Sequence, residues 1–438
     1  MPTIRIVLII ALQRSWPLLQ FDVNNAFLHG DLKEDVYMQQ PPGFTDPARP
    51  NHVCKLHKAL YGLKQAPRQW FHKLTGFLVQ FGFNFSRADP SMLVYSQGII
   101  QLYIIIYVDD LLLTGNHQPT INALLKDLND TFDLRQMGRA NLFLGIQIAY
   151  TKNGAFLHQS HYARDILLAS GLQDCKSAST PIIVAGHSAD SNLQPYDNPK
   201  LYRQLAGSLH YLTITRPDLS FAANMICQSM HNPTITDFLK LKRLIRYIKG
   251  TQHLGLMISS GSLELTTYCD ADWAANTTDR KSISGFCTFL GPNLVSWSVK
   301  KQTTVAKSST EAEYRALSSA LSDVIWLRRL LSDFHIALTS PTTMLCDNLS
   351  ALALAHNPIF HARTKHIEID HHFIRDHIQQ QTVTVSHVPS DEQLADILTK
   401  PLPVTRFITL RNKLSISTLE AQFAGACKDN KEREITGG

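Results

Sequence analysis

Gln101-Leu-Tyr-Ile-Ile-Ile-Tyr-Val-Asp-Asp-Leu-Leu-Leu-Thr-Gly115 sets two apolar runs around the adjacent carboxylates Asp109 and Asp110. Each run has strand length and is rich in β-branched and aromatic residues, so the stretch reads as a buried hairpin with the acids at its turn. Carboxylates side by side between such flanks must be protonated, paired with cations or bound to metal. An Asp-Asp turn is commonly a solvated loop tip. The hydrophobic flanks here favour a metal site instead.

A third carboxylate on a neighbouring strand strengthens that reading. Leu18-Leu-Gln-Phe-Asp-Val-Asn-Asn-Ala-Phe27 places Asp22 at the end of another apolar run, before an Asn-rich turn. Acids from adjacent strand ends that converge on divalent ions are the donor set of two-metal phosphoryl transfer.

The chain has 438 residues, 44% hydrophobic and 18% charged, with net charge +6. That length exceeds one ordinary core and predicts two or three domains. The positive excess is compatible with nucleic acid without being diagnostic of it. Seven scattered cysteines with no C-x-x-C spacing read as reduced thiols. Ile4–Leu12 alone resembles a targeting segment, but Arg5 interrupts its start and no small-residue cleavage site follows. It is also too short to cross a bilayer and reads as a core helix.

Further along, Ser308 with Glu311 forms a capping box, which gives Glu311 a structural task. Leu317, Ala320, Leu321 and Val324 follow Glu313 at helical steps, so Glu313 heads the buried stripe of that helix. A carboxylate on that face needs partners, and Asp270 and Asp347 end two predicted strands. Three anions converge only if cations bind between them. In the helix Asp237–Lys249, Lys242, Arg246 and Lys249 line one face, suited to a phosphate backbone or to plain solvation. His361, His366, His371 and His372 with Glu368 and Asp370 suggest zinc. Without H-E-x-x-H or a cysteine cluster, a solvated helix start is the better reading.

Tyr107-Val-Asp-Asp110, Asp22-Val-Asn-Asn-Ala-Phe-Leu-His-Gly30 and Leu60-Tyr-Gly-Leu-Lys-Gln-Ala-Pro-Arg-Gln-Trp70 resemble the reverse transcriptase of Ty1/copia-type retrotransposons. Tyr268-Cys-Asp-Ala-Asp-Trp273, Ser308-Ser-Thr-Glu-Ala-Glu-Tyr314, Cys346-Asp-Asn348 and Leu394-Ala-Asp-Ile-Leu-Thr-Lys400 resemble the ribonuclease H that follows it. The motifs run in the family's order over residues 2 to 403. The resemblance implies an α+β and α/β multidomain chain. Residues 1–165 would be a reverse-transcriptase palm, an antiparallel sheet with helices, truncated at its front. Residues 166–262 would be a helical, thumb-like connector, 263–403 a ribonuclease H-like mixed α/β domain, and 404–438 a tail.

It also implies chemistry. In the polymerase, Asp22 and Asp109 would hold two Mg²⁺ or Mn²⁺ ions with Asp110 in support, while a primer 3′-hydroxyl attacks a deoxynucleoside triphosphate. Phe27 matches the aromatic gate that excludes a ribose 2′-hydroxyl. Gly62, Lys64, Gln65 and Pro67 match the segment that backs nucleotide and template. Phe143, Leu144 and Gly145 match the primer-gripping hairpin. In the nuclease, Asp270, Glu313, Asp347 and Asp396 would hold two ions and cut the RNA strand of an RNA–DNA hybrid. Asp272 rivals Asp270, Asp391 rivals Asp396, and His387 is a candidate proton shuttle.

The implied partners are RNA template, DNA primer, RNA–DNA hybrid and other products of the same polyprotein, with no membrane. The implied location is a cytoplasmic virus-like particle or the nucleus, not secretion. Family members carry a basic fingers segment ahead of the counterpart of Pro2. Its cations assist the triphosphate, so weak or absent polymerisation by this chain alone is expected. A non-catalytic nucleic-acid-binding remnant, or a chain in which only ribonuclease H works, are the alternatives.

Overall fold

Ile4–Leu12 forms the helix its apolar pattern predicts, as α1 (Pro2–Gln13). It belongs to a computed structural model that describes residues 1–152, 154–184, 193–276, 278–357 and 368–419. The chain divides into a first unit, Ile10–Phe143 with Asp333–His335, and a second comprising Met1–Ile9, Leu144–Ser332 and the chain from Ile336 on. No described helix is long and apolar enough to cross a membrane.

The first unit runs through β1 (Leu18–Val23), β2 (Asp31–Gln39), β3 (Val53–Lys58), α2 (Ala66–Phe81), β4 (Asn84–Phe85) and β5 (Met92–Gln97). It continues with β6 (Ile100–Tyr107), β7 (Asp110–Gly115), α3 (Gln118–Phe132), β8 (Leu134–Arg139) and β9 (Leu142–Phe143). β6 and β7 are the two runs around Asp109, and they pair antiparallel as expected. The main sheet has the order β4-β5-β6-β7-β1-β8, which sets β1 against β7. Ile104, Ile106, Leu111 and Leu113 pack with Trp70, Leu74 and Leu78 of α2 and Ile121, Leu124 and Leu128 of α3. Their neighbours Ile105 and Leu112 are buried too, which is why the runs are apolar throughout instead of alternating.

The second unit begins with β10 (Ile146–Thr151), β11 (Gly154–His158), α4 (Ser160–Ala169), α5 (Pro199–Leu212), α6 (Ser220–Gln228), α7 (Ile235–Thr251) and β12 (Leu254–Ser259). Next come β13 (Leu265–Asp272), β14 (Ile283–Leu290), β15 (Asn293–Lys301), α8 (Ser309–Asp333), β16 (Thr342–Cys346), α9 (Leu349–His356), α10 (Glu368–Gln379) and β17 (Val383–His387). α11 (Asp396–Thr399), α12 (Val404–Lys413) and β18 (Ile416–Thr418) follow. A mixed sheet has the order β15-β14-β13-β16-β17, antiparallel from β15 to β13 and parallel from β13 to β17. Parallel neighbours require crossovers, which α8 supplies before β16 and α9 with α10 before β17. The stripe Leu317, Ala320, Leu321 and Val324 of α8 packs on Phe286, Met344 and Val385.

The sequence reads residues 254–259 as the end of a helical connector and 416–418 as tail. Both are strands: β12 pairs with β11 on one side and β18 on the other. Three residues are too few to carry a periodic signal, so β18 was not legible.

Two buried arginines hold this unit. Arg5 donates to the carbonyls of Val295 at 2.7 Å and Ile214 at 2.5 Å, with its guanidinium 3.9 Å over the Trp297 ring. Burial with no carboxylate pushes it down to about 9. Arg216, 2% exposed, pairs with Asp218, 0% exposed, at 2.7 Å. The same guanidinium donates to the Thr251 carbonyl at 2.7 Å, and the Tyr247 hydroxyl donates to Asp218 at 2.7 Å. Thus one ion pair ties the turn before α6 to the end of α7.

Removing one partner of a buried pair leaves an uncompensated charge. Arg216→Met should therefore cost about 3–5 kcal/mol in urea unfolding of this unit, and the double change with Asp218→Leu should cost less than the single one. A double variant as unstable as Arg216→Met would refute this account.

Candidate functional sites

Asp22 lies directly opposite Asp110 in the β1–β7 register, and the Asp109 carbonyl accepts from Val23 N–H at 3.0 Å. The Gln20 amide donates to Asp110 at 3.4 Å. Burial first, then Asp109 and Asp22, raises the Asp110 carboxyl. The sheet register thus brings together the three acids that the sequence singled out. Their turn is wetter than its flanks suggest, since all three acids are half-buried and Tyr107 and Val108 are 54% and 38% exposed.

Val108 has φ +57, a strained conformation for a β-branched residue. The indole N–H of Trp70 donates to the Val108 carbonyl at 2.6 Å, so α2 pins the turn. Neither feature was legible locally, because nothing in the residues around Trp70 tells what its N–H meets. Tyr61 was also missed. Its ring lies 4.3 Å from that of the buried Phe27, and burial followed by Asp109 and Asp22 raises its hydroxyl. A lone aromatic in a turn gives no signal of what it faces.

Gly62 has φ +96, a conformation that favours glycine, in the turn before α2. Lys64 is exposed, Gln65 stands at the N-cap position of α2 without a side-chain capping bond, and Pro67 occupies its first turn. Phe143 is a core residue, 1% exposed, so it could meet a primer only through its backbone. Leu144 and Gly145 both have positive φ, and the Tyr211 hydroxyl donates to the Leu144 carbonyl at 2.5 Å. A Cβ on Gly145 would lie 2.4 Å from that hydroxyl, which explains the glycine.

In the second unit, the parallel pairing of β13 with β16 brings the segments bearing Asp270 and Asp347 side by side. Glu313, in the first turns of α8, faces them and is 6% exposed. Burial raises its carboxyl most, followed by Asp270, Cys346 and Asp347, and holds it at about 11. Ligand atoms of Glu313, Cys346 and Asp347 lie within 4.8 Å of one another. The Cys346 thiol lies 3.8 Å from Glu313, so a sulfur joins a donor set that the sequence reads as all carboxylate. The Ser390 hydroxyl donates to Asp347 at 2.8 Å.

Asp270 and Asp396 complete the cluster with cations attached. Lys400 reaches Asp396 at 2.7 Å and Asp270 at 3.3 Å, while Arg406 reaches Asp396 at 2.5 Å. The Thr399 hydroxyl donates to Asp270. Burial followed by Lys400 and Asp396 sets the Asp270 carboxyl, with a net upward shift. The rival Asp272 is half-buried at the strand end, and the rival Asp391 is exposed. Donors of this kind fit a divalent cation: a buried Glu313 without an ion-pair partner among the described residues, beside hard carboxylate oxygens.

Glu311 performs its capping task with a shift of one residue, accepting from Lys307 N–H at 2.8 Å while Glu311 N–H donates to Ser308 at 3.2 Å. His387 is exposed and lies opposite Cys346 in the β16–β17 register. His371 is buried with its ring 6.2 Å from Tyr314, which corrects the solvated reading of that histidine. His361 and His366 lie outside the described residues. On α7, Lys242 is exposed, Lys249 is half-buried, and Arg246 is engaged with the Lys176 carbonyl at 2.8 Å.

A carboxyl near 11 when folded and near 4.3 when unfolded costs nothing below the unfolded value. The stability it carries is lost as pH rises from there toward the folded value. In metal-free protein, Glu313→Gln should therefore match wild type near pH 4.5. It should exceed wild type by up to about 5 kcal/mol at pH 8, about 1.4 kcal/mol for each pH unit above the unfolded value, measured by thermal unfolding in chelator. A pH-independent difference would refute the strain.

Comparison with known proteins bears on the family of the chain. Residues 1–184 match the family model described as reverse transcriptase (RNA-dependent DNA polymerase). The retrovirus-related Pol polyprotein from transposon RE1 of Arabidopsis thaliana is 44% identical over 95% of this chain and 28% of its own length. That from transposon TNT 1-94 of Nicotiana tabacum is 34% identical over 93% of this chain and 31% of its own length. The chain thus spans less than a third of these relatives. A solved N-terminal RNase H domain of Rv2228c from Mycobacterium tuberculosis, fused to maltose binding protein, covers 34% of this chain and 98% of that one at 14% identity and TM-score 0.25. The chain belongs to the family of retrovirus-related Pol polyproteins from copia-type transposons, with a reverse transcriptase at its front.

Proposed function

We propose that the chain carries two nucleic-acid-processing centres, an RNA-directed DNA polymerase and a ribonuclease H. The observation that carries this reading is the convergence of Asp270, Asp347 and Cys346 on a buried Glu313 whose carboxyl is held at about 11. Such an arrangement is costly for the fold and has a use once a divalent cation binds. Asp22 against Asp110, with Asp109 at the turn, supports the polymerase by the same logic.

In the polymerase, Asp22 and Asp109 would hold Mg²⁺ or Mn²⁺, with Asp110 supporting from the facing strand. Phe27, backed by Tyr61, would close the sugar side of the nucleotide pocket and reject a 2′-hydroxyl. Gly62 lets the chain turn close beside the nucleotide, and Lys64 offers a cation to phosphate. In the nuclease, Glu313, Asp347, Asp270 and Asp396 would hold Mg²⁺ or Mn²⁺ against an RNA–DNA hybrid. Bound divalent ions would supply an activated oxygen nucleophile and stabilise the leaving oxygen in both centres. RNA template, DNA primer and hybrid are the partners that follow, and residues 1–165 and 263–403 are the domains we assign to them.

Two assays on the full chain separate the centres: extension of a primed RNA template, and cutting of a labelled RNA–DNA hybrid, each with Mg²⁺. Any extension by wild type should fall at least about 100-fold in Asp109→Asn with cutting intact, and Glu313→Gln should lower cutting at least about 100-fold with extension unchanged. Absence of Mg²⁺-dependent cutting by folded wild type would sink the nuclease assignment. In the extension assay, Phe27→Ala should raise ribonucleotide incorporation relative to deoxynucleotide by about 10-fold or more. An unchanged ratio would remove Phe27 from its proposed place.

A further inference from the structure

We infer that Lys400 is a resident cation of the nuclease centre, holding the place between Asp270 and Asp396 that a second divalent ion must take over. This rests on the nuclease reading above. The charge distribution within the acid cluster is unequal. Asp270 and Asp396, both buried, share the Lys400 ammonium at 3.3 and 2.7 Å, and Asp396 also holds Arg406 at 2.5 Å. Among the described residues, no ion pair reaches Glu313 or Asp347; they lie with the Cys346 thiol within 4.8 Å of one another. One half of the cluster is therefore paired with the protein's own cations and, among the described residues, the other half is not.

The backbone explains how Lys400 comes to be there. It directly follows α11, and its N–H donates to the Asp396 carbonyl at 3.1 Å, so acid and ammonium lie one helical turn apart. The same turn sends the Thr399 hydroxyl to Asp270. One short segment thus presents an acid, a cation and a hydroxyl to the end of β13. The Lys400 side chain is 33% exposed and flexible enough to leave for solvent without disturbing the turn, whereas Asp396 keeps Arg406 when it goes.

The consequence is stepwise loading. The half made by Glu313 and Asp347 takes the first ion with no protein cation to displace, only the Glu313 proton. Loading the half made by Asp270 and Asp396 requires breaking two ion pairs, which lowers its affinity by at least about tenfold, or 1.4 kcal/mol. Lys400 acts here as a positioning residue: it keeps two repelling acids together until an ion replaces it.

The test is Mn²⁺ titration of the full chain carrying Asp22→Asn and Asp109→Asn, so that the ions counted belong to the nuclease centre. Binding is followed by calorimetry and by the paramagnetic resonance signal of free Mn²⁺. With Lys400 present, one ion should bind tightly and the second at least about tenfold more weakly. Lys400→Met and Lys400→Gln should tighten the second ion by about that factor, and Lys400→Arg should behave as the parent does. Circular dichroism identifies any variant that misfolds, and having two neutral variants keeps the test informative. Identical two-ion binding in parent and neutral variants would overturn the proposal while leaving the nuclease reading intact. Loss of the first ion in folded neutral variants would also overturn it, giving Lys400 a structural role alone. Absence of Mn²⁺ binding in every variant would remove the nuclease reading and this inference with it.

Discussion

Repulsion between like charges at close range is the constraint on which the acid cluster of the second unit depends. Asp270, Glu313, Asp347 and Asp396 cannot assemble by mutual attraction, and burial makes their repulsion stronger than it would be in water. Something other than the acids must hold them. The parallel pairing of β13 with β16 sets Asp270 and Asp347, and the apolar stripe of α8 sets Glu313. Both belong to the core, so the cost at the site is offset by burial elsewhere. The Glu313 carboxyl at about 11 registers that cost.

The three acids of the first unit meet the same repulsion by a different route. They sit half-buried at a turn whose tip is open to water, and solvent screens them where protein cations would otherwise be needed. Their strain lies in the backbone instead. Val108 takes a left-handed conformation that its branched side chain disfavours, and the Trp70 indole holds its carbonyl. The first centre is held by geometry and wetted. The second is buried and partly neutralised from within.

Sequence reasoning reached what alternation and helical stepping can carry. The β6–β7 hairpin, the assignment of Glu313 to the buried face of α8, and the placing of Asp270 and Asp347 at strand ends all follow from residue order. It failed where the deciding partner is distant in sequence or the element is short. Nothing local to Trp70 tells that its N–H meets Val108. Nor does anything local to Tyr61 tell that its ring meets Phe27. Three-residue β18 had no pattern to find, and His371 on α10 read as solvated because its neighbours on the chain are polar although it packs against Tyr314.

The cations of the second unit's acid cluster were missed for a different reason. A search for metal ligands counts anions and passes over the lysine beside them, so Asp396 was singled out and Lys400, four residues on, was not. Yet a buried carboxylate must be compensated in every state the protein visits, including those without an ion. Asp270 and Asp396 have such compensation in Lys400 and Arg406, whereas Glu313 keeps a proton and no cation reaches it or Asp347 among the described residues. The position of the protein's own cations therefore says which acids are ready for an external one. By that criterion Glu313 and Asp347 form the open half of the site, and α11 with α12 forms the guarded half.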